Sequence, residues 1–209
     1  MFVVDICARD PDLRLIGGDA HGRRLKAPQG LKTRPATARV RASIFSRLAA
    51  RCELDGARVL DLFAGSGSLG LEALSRGAAL AVFVDSSRAA TATIAHNLDQ
   101  LGLAARARIL PFDFRRAITE LAAANECFDF IFVDSPYVRD MSAAVLALIV
   151  QTDLMARDGY VVVRQFHRAP RPQPQALECV SLATIGDHRI ALYRRQATAF
   201  GSVKALHGE

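Results

Sequence analysis

The sequence predicts an α/β fold in which a mostly parallel sheet is covered by helices on both faces. Between residues 58 and 163, five continuous apolar segments alternate with four segments of helical spacing. Strands buried on both faces are apolar throughout, and crossover helices join parallel strands, so this alternation is typical of a parallel sheet. Two further observations fit that class: a glycine-rich loop follows the first strand, and a hairpin closes the pattern.

The elements before this pattern are predicted from turn and capping residues. Residues 1–12 carry no pattern and are expected to be flexible. Residues 14–16 and 23–26 flank a glycine-containing turn, which predicts a short basic hairpin. Thr37 can accept a hydrogen bond as an N-cap, and apolar residues then recur at helical spacing, so a helix is predicted to begin there.

The strands and helices of the main pattern follow in regular order. The predicted strands are residues 58–63, 80–85, 107–110, 128–134 and 160–163, and the predicted helices between them are residues 69–76, 87–101, 114–123 and 141–154. A turn at Gly186-Asp187 separates the strands of the closing hairpin, residues 177–185 and 189–194. The length of 209 residues suits one domain with a sizeable core.

Composition excludes several classes of protein. With 51% hydrophobic and 23% charged residues, the chain has an ordinary globular composition. No uncharged apolar run reaches the ~18 residues of a membrane span, and the N-terminus lacks the basic residues of a signal peptide, so we expect a cytoplasmic protein. Its four cysteines stand far apart, which predicts reduced thiols. Neither the cysteines nor the histidines have metal-ligand spacing, so no metal is expected.

The net charge of +6 is concentrated in one segment. Residues 14–47 contain nine basic side chains and one acid, Asp19. A block this unbalanced favours a polyanionic partner such as nucleic acid, although a solvated basic face is the alternative. The candidate RNA-binding residues within it are Arg14, Arg23, Arg24, Lys26, Arg34, Arg39 and Arg41.

The loop after the first strand is typical of a nucleotide-type cofactor site. Its glycines, Gly65 and Gly67, permit a tight turn and a close approach to a ligand. Asp85 ends the next strand, where an acid can bind two ribose hydroxyls. NAD fits this arrangement equally well, and a glycine turn used only for packing is the other alternative. S-Adenosyl-L-methionine (SAM) differs in carrying a sulfonium and an ammonium, whose positive charge Asp61 at the end of the first strand can balance.

Two residues after the third strand extend the candidate cofactor site. Asp113 is placed to accept from an adenine amino group, with Phe114 beside the ring, although an aspartate there is also a common helix cap. Because ligands of such sheets bind beyond the carboxyl ends of the strands, these residues are expected to lie at one edge. The candidate cofactor residues are Asp61, Phe63, Gly65, Ser66, Gly67, Asp85, Ser86, Asp113 and Phe114.

The segment Asp134-Ser135-Pro136-Tyr137 follows the fourth strand, faces the same edge and supplies the candidate catalytic residues. An exocyclic amine of a nucleic-acid base is a weak nucleophile because its lone pair is delocalised into the ring. The Asp134 carboxylate and the Ser135 carbonyl can accept its N–H groups and direct the lone pair at a methyl donor, and Asp134 can take the released proton. Tyr137 offers a ring on which an extruded base stacks. The alternative is a tight turn that caps a helix.

Several longer motifs of the chain are shared with one known family. They are Arg14-Leu15-Ile16-Gly17-Gly18, Arg34-Pro35-x-Thr37-x-Arg39-Val40-Arg41, the run from Asp61 to Ala78, Phe128-Asp129-x-Ile131-Phe132-x-Asp134-x-Pro136-Tyr137 and the Gly186-Asp187 hairpin. With these motifs the chain resembles the bacterial 16S rRNA guanine-N2 methyltransferases of the RsmD type. The resemblance covers residues 13–195.

The resemblance implies a Rossmann-like class I SAM-dependent methyltransferase with a seven-stranded sheet and a small N-terminal β-hairpin extension. It also implies that Asp85 and Asp113 bind the ribose and adenine of SAM. The implied partner is 16S rRNA or the assembling small ribosomal subunit, and we expect the protein to act as a monomer. The expected division is a flexible start at 1–12, a basic RNA-binding extension over 13–50, a methyltransferase domain over 51–196 and a flexible tail over 197–209.

Several positions depart from the family pattern. Ser135 stands where the family usually has proline, and Arg164 stands where an acid is common after the fifth strand. Ala38 and Ala42 also replace acids, and Ser87 stands where a second acid often follows the ribose-binding one. These departures keep two alternatives open: an amino-methyltransferase acting on another RNA or DNA base, and an RNA-binding homologue with impaired catalysis. An NAD-dependent oxidoreductase is a third alternative, against which the segment at Asp134 counts.

Overall fold

The computed structural model describes residues 13–28, 36–135 and 141–196, which contain seven strands and five α-helices. The strands are β1 (Arg58–Leu62), β2 (Leu80–Val84), β3 (Ala107–Leu110), β4 (Phe128–Val133), β5 (Met155–Phe166), β6 (Leu177–Ile185) and β7 (His188–Arg195). The helices are α1 (Ala38–Ala49), α2 (Ser68–Ser75), α3 (Arg88–Leu101), α4 (Phe114–Ala123) and α5 (Ser142–Gln151). No helix within the described ranges is long and apolar enough to cross a membrane. The predicted flexible ends, 1–12 and 197–209, lie outside these ranges.

The seven strands form one sheet in the order β3-β2-β1-β4-β5-β7-β6. β1 to β5 run parallel, and β7 is antiparallel to both of its neighbours. This confirms the Rossmann-like, mostly parallel sheet and the closing hairpin that the sequence predicts. The chain passes from β3 at one edge to β4 on the other side of β1. The strand order therefore reverses between β1 and β4, where sheets of this class bind their ligands.

The sheet is buried on both faces because the side chains of each strand alternate between them. On one face Val59 and Phe132 belong to the core that contains α1, α2 and α3. On the other face Leu60 and Ile131 belong to the core that contains α4 and α5. Asp61 shares the first face with Val59, so a buried carboxylate stands among the apolar side chains of this face.

The N-terminal extension is a hairpin with one antiparallel bridge, between Arg14 and Arg24. The sequence predicts two short strands here, and that prediction overstates the pairing. Backbone hydrogen bonds still join the two arms: the Leu15 N–H donates to the Arg23 carbonyl at 3.0 Å, and the Leu25 N–H donates to the Leu13 carbonyl at 2.8 Å. The turn between the arms packs against α2, where the Asp19 N–H donates to the Ser75 carbonyl at 2.8 Å.

Two polar side chains of α2 anchor the turn of this hairpin. The buried Glu72 carboxylate accepts from the Ile16 backbone N–H at 2.8 Å, and the Ser75 hydroxyl accepts from the Ala20 N–H at 2.9 Å. Gly18 has a φ of +72° and lies so close that an added Cβ would fall 1.8 Å from the Ser75 carbonyl oxygen. The backbone of the hairpin turn is therefore fixed to α2.

The bounds of β5 differ most from their prediction. The sequence predicts residues 160–163, whereas the strand extends from Met155 to Phe166. Its register against β4 shifts once between Met155 and Tyr160, and the polar residues of this irregularity hide the beginning of the strand. At the other end, pairing with β7 continues to Phe166, so Arg164 is part of the strand.

Candidate active site

Three carboxylates gather at the edge of the sheet where β1, β2 and β4 end. Asp61 lies one residue before the end of β1, whereas Asp85 and Asp134 directly follow β2 and β4. The charges of Asp134 and Asp85 both help to raise the pKa of Asp61, so the three groups are close enough to interact. This edge contains the reversal of strand order, which is where the sequence places the cofactor and the reacting group.

Asp61 is a buried acid, with 1% of its surface exposed. Burial holds the pKa of Asp61 well above its usual range, and the neighbouring carboxylates raise it further. The Gly70 backbone N–H, which donates to Oδ2 at 2.9 Å, acts in the opposite direction. A cation bound beside Asp61 would favour the charged form. The site is therefore suited to a ligand that carries positive charge.

The loop from Phe63 to Gly67 turns sharply between β1 and α2. Phe63, Gly65 and Gly67 all have left-handed backbone, with φ of 60°, 56° and 76°, which is easy for glycine and uncommon for phenylalanine. An added Cβ at Gly67 would lie 3.2 Å from Ile94 and 3.3 Å from Phe83. At Gly65 it would meet only the Phe63 carbonyl oxygen, at 3.9 Å. Gly67 thus serves the packing of the loop, whereas Gly65 borders space in which a ligand can lie.

Asp85 fixes the glycine loop to the end of β2. Its carboxylate accepts from the Gly65 backbone N–H at 2.9 Å and from the Ser87 N–H at 2.8 Å. A carboxylate has about four lone-pair sites, so both oxygens can accept from further donors such as ribose hydroxyls. Ser86, the other predicted cofactor residue here, is exposed beside it.

Asp113 caps α4, as the alternative interpretation of this residue states. Its Oδ1 accepts from the Arg115 N–H at 2.8 Å and from the Arg116 N–H at 3.2 Å. The residue is exposed, so capping and contact with a ligand are compatible. Phe114, predicted to lie beside an adenine ring, is buried and packs against Phe63 with ring centroids 5.3 Å apart. Phe114 therefore contacts the glycine loop through Phe63.

Arg164 of β5 binds both oxygens of Asp134. Nε donates to Oδ1 at 2.5 Å and Nη2 donates to Oδ2 at 2.8 Å. The pairing follows from strand register, because Val133 of β4 lies opposite Val163 of β5 and the next residues stand side by side. The Asp134 carboxylate is thus oriented by the protein itself.

Ser135 directly follows Asp134 at the end of β4. The residue is buried, and its hydroxyl accepts from the Met141 backbone N–H at 3.4 Å. This contact links the two described residues on either side of positions 136–140. Pro136 and Tyr137, two of the predicted catalytic residues, lie outside the described ranges.

The basic hairpin and the first turn of α1 present positive charge to solvent. Exposed side chains among the predicted RNA-binding residues are those of Arg23, Arg24, Lys26 and Arg39. Arg14 is half-buried, and its Nη1 donates to the Gly22 carbonyl at 3.0 Å. Arg34 lies outside the residues that the structure describes.

Arg41 does not belong to this surface, so the prediction that it contacts RNA is wrong. The side chain is 0% exposed, and its guanidinium donates at 2.5 Å to the carbonyls of Ala36 and Arg14. Its spacing to Ile44 and Leu48 places it on the buried stripe of α1. That spacing is the sequence signal that separates Arg41 from the exposed arginines around it.

Asn97 of α3 links the basic hairpin to the glycine loop, residues 63–67. Its Oδ1 accepts from the Lys26 backbone N–H at 2.8 Å, and its Nδ2 donates to the carbonyls of Lys26 and Ser66 at 3.0 Å. Ser66, a predicted cofactor residue, is buried and held through this carbonyl. Sequence reasoning missed Asn97 because no motif surrounds it.

The chemistry available at this edge is that of carboxylates and backbone amides. Across the described part of the chain, no group of three or more His, Cys, Asp or Glu side chains is arranged to hold a metal ion. Asp61 and Asp85 offer acceptors for a cationic ligand that bears hydroxyls. Asp134 offers an oriented acceptor for the protons of an amine.

Comparison with known proteins gives consistent matches along most of the chain. A family model described as conserved hypothetical protein 95 matches residues 13–194. Ribosomal RNA small subunit methyltransferase D of Escherichia coli (strain K12) is 36% identical over 151 residues, which cover 72% of this chain and 73% of that protein. YlbH of Bacillus subtilis (strain 168), whose name makes it a candidate rRNA methyltransferase, is 37% identical over 185 residues, which cover 88% of this chain and 100% of that protein.

A solved structure shows the same fold. The structure of yhhF from Escherichia coli, described as a candidate methyltransferase, is similar with a TM-score of 0.76 and 32% sequence identity. The superposition covers 88% of this chain and 98% of that one. The seven-stranded sheet is therefore that of a Rossmann-like methyltransferase domain.

Proposed function

The chain belongs to the conserved hypothetical protein 95 family, the family of RsmD-type rRNA methyltransferases, and from this premise we propose that it methylates the N2 amine of a guanine in 16S rRNA with SAM as the methyl donor. The proposed substrate is 16S rRNA, alone or in the assembling small ribosomal subunit, and the proposed active form is a monomer. Membership of a methyltransferase family excludes the oxidoreductase alternative.

The observation that carries this proposal is the placement of Asp134 beside the Asp61–Asp85 pair. Asp61 and Asp85 surround the glycine loop, and Asp134 follows the neighbouring strand at the same edge. A methyl donor bound by the loop would therefore lie next to an acceptor for the amine that receives the methyl group. The loop after β1 would hold the methyl donor, and Asp134 after the neighbouring strand β4 would accept the amine protons.

The residues of the edge fit SAM. The buried Asp61 suits a ligand with positive charge, and Asp85 keeps acceptor sites for ribose hydroxyls. The open side of Gly65 is the space a ligand would fill. When bound, SAM supplies a methyl group activated by its positively charged sulfur. Asp113 is proposed to accept from the adenine amine at the outer end of the site.

The reaction on the amine follows from the acceptors that face it. The Asp134 carboxylate and the Ser135 carbonyl accept the two N–H groups, which draws the nitrogen lone pair out of conjugation with the ring. The amine would take up the methyl group that bound SAM supplies, and one amine proton would leave to Asp134 or to water. Because charge at sulfur is lost in this transfer, the protein mainly positions the reacting groups.

The basic surface supports a nucleic-acid substrate. Arg23, Arg24 and Lys26 are exposed on a hairpin that Asn97 joins to the glycine loop. Phosphate contacts made there would set the position of the RNA relative to the bound SAM. Tyr137 is proposed to stack on the target base once it is extruded.

Transfer of labelled methyl groups from SAM to three substrates tests this function. The substrates are deproteinised 16S rRNA, isolated small ribosomal subunits and duplex DNA. We expect transfer to ribosomal RNA in at least one of its two forms and none to DNA. Transfer to DNA would favour the other amino-methyltransferase, and SAM binding without transfer to any substrate would favour the RNA-binding homologue.

Asp85→Ala should weaken SAM binding by about 1–3 kcal/mol, the scale of hydrogen bonds to a charged group. The change removes the acceptor for the ribose and also frees the Gly65 N–H that Asp85 binds. Calorimetric titration with SAM measures the loss. Asp99→Ala, which removes an exposed acid from α3, is the matched control and should bind SAM like the wild type. Equal affinity of the two variants would remove Asp85 from the site.

Asp61→Asn should make the free protein more stable at neutral and alkaline pH. Burial raises the pKa of Asp61 in the folded state. The stability that this acid contributes is therefore fully present below its unfolded pKa of about 4 and is lost as pH rises through the folded value. Asparagine can still accept the Gly70 hydrogen bond but has no charge to bury. Thermal unfolding at increasing pH should show that the Tm of the variant exceeds that of the wild type by an amount that grows as the pH rises.

The same Asp61→Asn variant should bind SAM more weakly, because the positive charge of SAM favours the ionised acid. Wild-type affinity should rise with pH through the raised pKa of Asp61, whereas the affinity of the variant should stay flat. At high pH the difference should reach about 1–3 kcal/mol. A variant that is less stable without SAM, and that binds SAM like the wild type at every pH, would contradict the assigned role.

A further inference from the structure

We propose that Arg164 is a positioning residue for methyl transfer, which holds the Asp134 carboxylate in the orientation that the base amine requires. The proposal rests on the function proposed above and names a residue that the family pattern does not contain, because an acid is common at this position. Arg164 acts through Asp134 and is not proposed to touch the substrate.

The contact between the two side chains fixes a direction as well as a distance. Two N–H groups of one planar guanidinium bind the two oxygens of one planar carboxylate, at 2.5 and 2.8 Å. A two-point contact of this kind holds the carboxylate plane, whereas a single hydrogen bond would leave it free to rotate about the Cβ–Cγ bond. Asp134 therefore presents its remaining acceptor sites in a set direction.

The surroundings of the pair keep it in place. The side chains of Arg164 and Asp134 are 5% and 14% exposed, so water and salt screen the attraction only weakly. Arg164 also stands within β5, where it pairs with Ile190 of β7, one residue beyond the end of the pairing with β4 at Val163. The backbone that carries the guanidinium is therefore held by the β5–β7 pairing, while Asp134 directly follows the end of β4.

The pairing leaves Asp134 able to serve the amine. A carboxylate has about four lone-pair sites, and the guanidinium uses two of them. The other two lie on the sides of the carboxylate that the guanidinium does not cover, and Asp134 is the more exposed partner. Arg164 also balances the charge of Asp134, the partner with which it forms the ion pair.

This role accounts for a second departure from the family. Ser135 replaces a proline that would stiffen the backbone directly after Asp134. In this chain two other contacts act here, the ion pair between Arg164 and Asp134 and the hydrogen bond from the Met141 N–H to Ser135. The arginine thus fixes the Asp134 side chain in a chain that lacks the family's proline.

Arg164→Met tests the role, because it removes the donors and keeps a long unbranched side chain. In steady-state assays on the ribosomal substrate we expect kcat to fall about 10–100-fold, because a small misplacement of a reacting group causes losses of this size. The KM for SAM should change by less than about twofold, since the residue does not bind the cofactor. Arg164→Lys, which keeps the charge but makes one contact, should recover part of the loss.

A double variant separates positioning from a general structural role. If Arg164 acts only through Asp134, adding Arg164→Met to Asp134→Asn should lower kcat no further. The double variant also removes both charges together, which avoids leaving a buried charge without its partner. If Arg164→Met does not fold by itself, the comparison of Asp134→Asn with the double variant still decides the question.

Two results would overturn this role. One is a wild-type kcat in Arg164→Met, and the other is the same fractional loss in the wild-type and Asp134→Asn backgrounds. Both leave the proposed function intact, because the wild-type enzyme is assayed on the same substrate. A wild-type enzyme that transfers no methyl group to rRNA would instead overturn the function and this role together.

Discussion

Asp134→Asn should lower the single-turnover rate of methyl transfer by about 10²–10⁴-fold, the scale of lost positioning and proton transfer. The asparagine has the same size, but its amide nitrogen donates where the carboxylate accepted. It therefore cannot bind both donors of Arg164 and the N–H groups of a base amine at the same time. The lone pair of the amine would no longer be directed at the methyl group.

Rapid-quench transfer from labelled SAM measures this loss, with SAM affinity determined by calorimetry on the same preparation. SAM affinity should change little, because Asp134 is assigned to the amine and not to the cofactor. Asp129→Asn is the matched control: it makes the same change at the other end of β4, where an amide can still accept the Arg58 N–H. Near-wild-type turnover of Asp134→Asn would refute the assigned mechanism.

Replacement of Arg23, Arg24 and Lys26 by glutamine should weaken RNA binding about 100-fold or more at ~0.1 M salt. Each phosphate contact contributes about 0.7–0.9 to the slope of log K against log salt concentration, so the slope should fall by about 2–3. The loss should be similar across RNA sequences, since phosphates carry no sequence information. Filter binding of 16S rRNA over a range of salt concentrations measures both quantities.

Three exposed arginines elsewhere provide the control for net charge. Arg108, Arg157 and Arg194 lie on β3, β5 and β7, and their replacement by glutamine removes the same total charge. If the hairpin makes the contacts, the control variant should keep most of the wild-type slope. A slope that falls equally in both triple variants would show that net charge, and not the hairpin, attracts the RNA.

The fold could be predicted from the sequence because its signals are local. The bounds of α4 and β3 match their prediction, since Asp113 caps the helix through bonds to the next two or three residues and a turn limits the strand. The sequence also predicts that Asp61, Asp85 and Asp134 lie at one edge of the sheet. Carboxyl ends of neighbouring parallel strands meet there whatever the details of packing.

The side-chain contacts in and around the site could not be predicted, because they depend on strand register and on segments that are distant in the sequence. The Arg164–Asp134 pair requires Val133 and Val163 to lie opposite each other, which no pattern within either strand determines. Helical spacing indicates that Arg41 is buried, but one of its acceptors, the Arg14 carbonyl, lies 27 residues away in the chain. Asn97 is 71 residues from Lys26, whose backbone it binds.

Mass spectrometry of rRNA nucleosides tests most directly the proposal that this protein places a methyl group on a guanine amine of 16S rRNA. The comparison uses 16S rRNA from a strain that lacks the protein and from the same strain supplied with the wild type or with Asp134→Asn. We expect one N2-methylguanosine to be absent from the first, restored by the wild type and not restored by the variant. An unchanged set of methylated 16S nucleosides in the strain that lacks the protein would contradict the account.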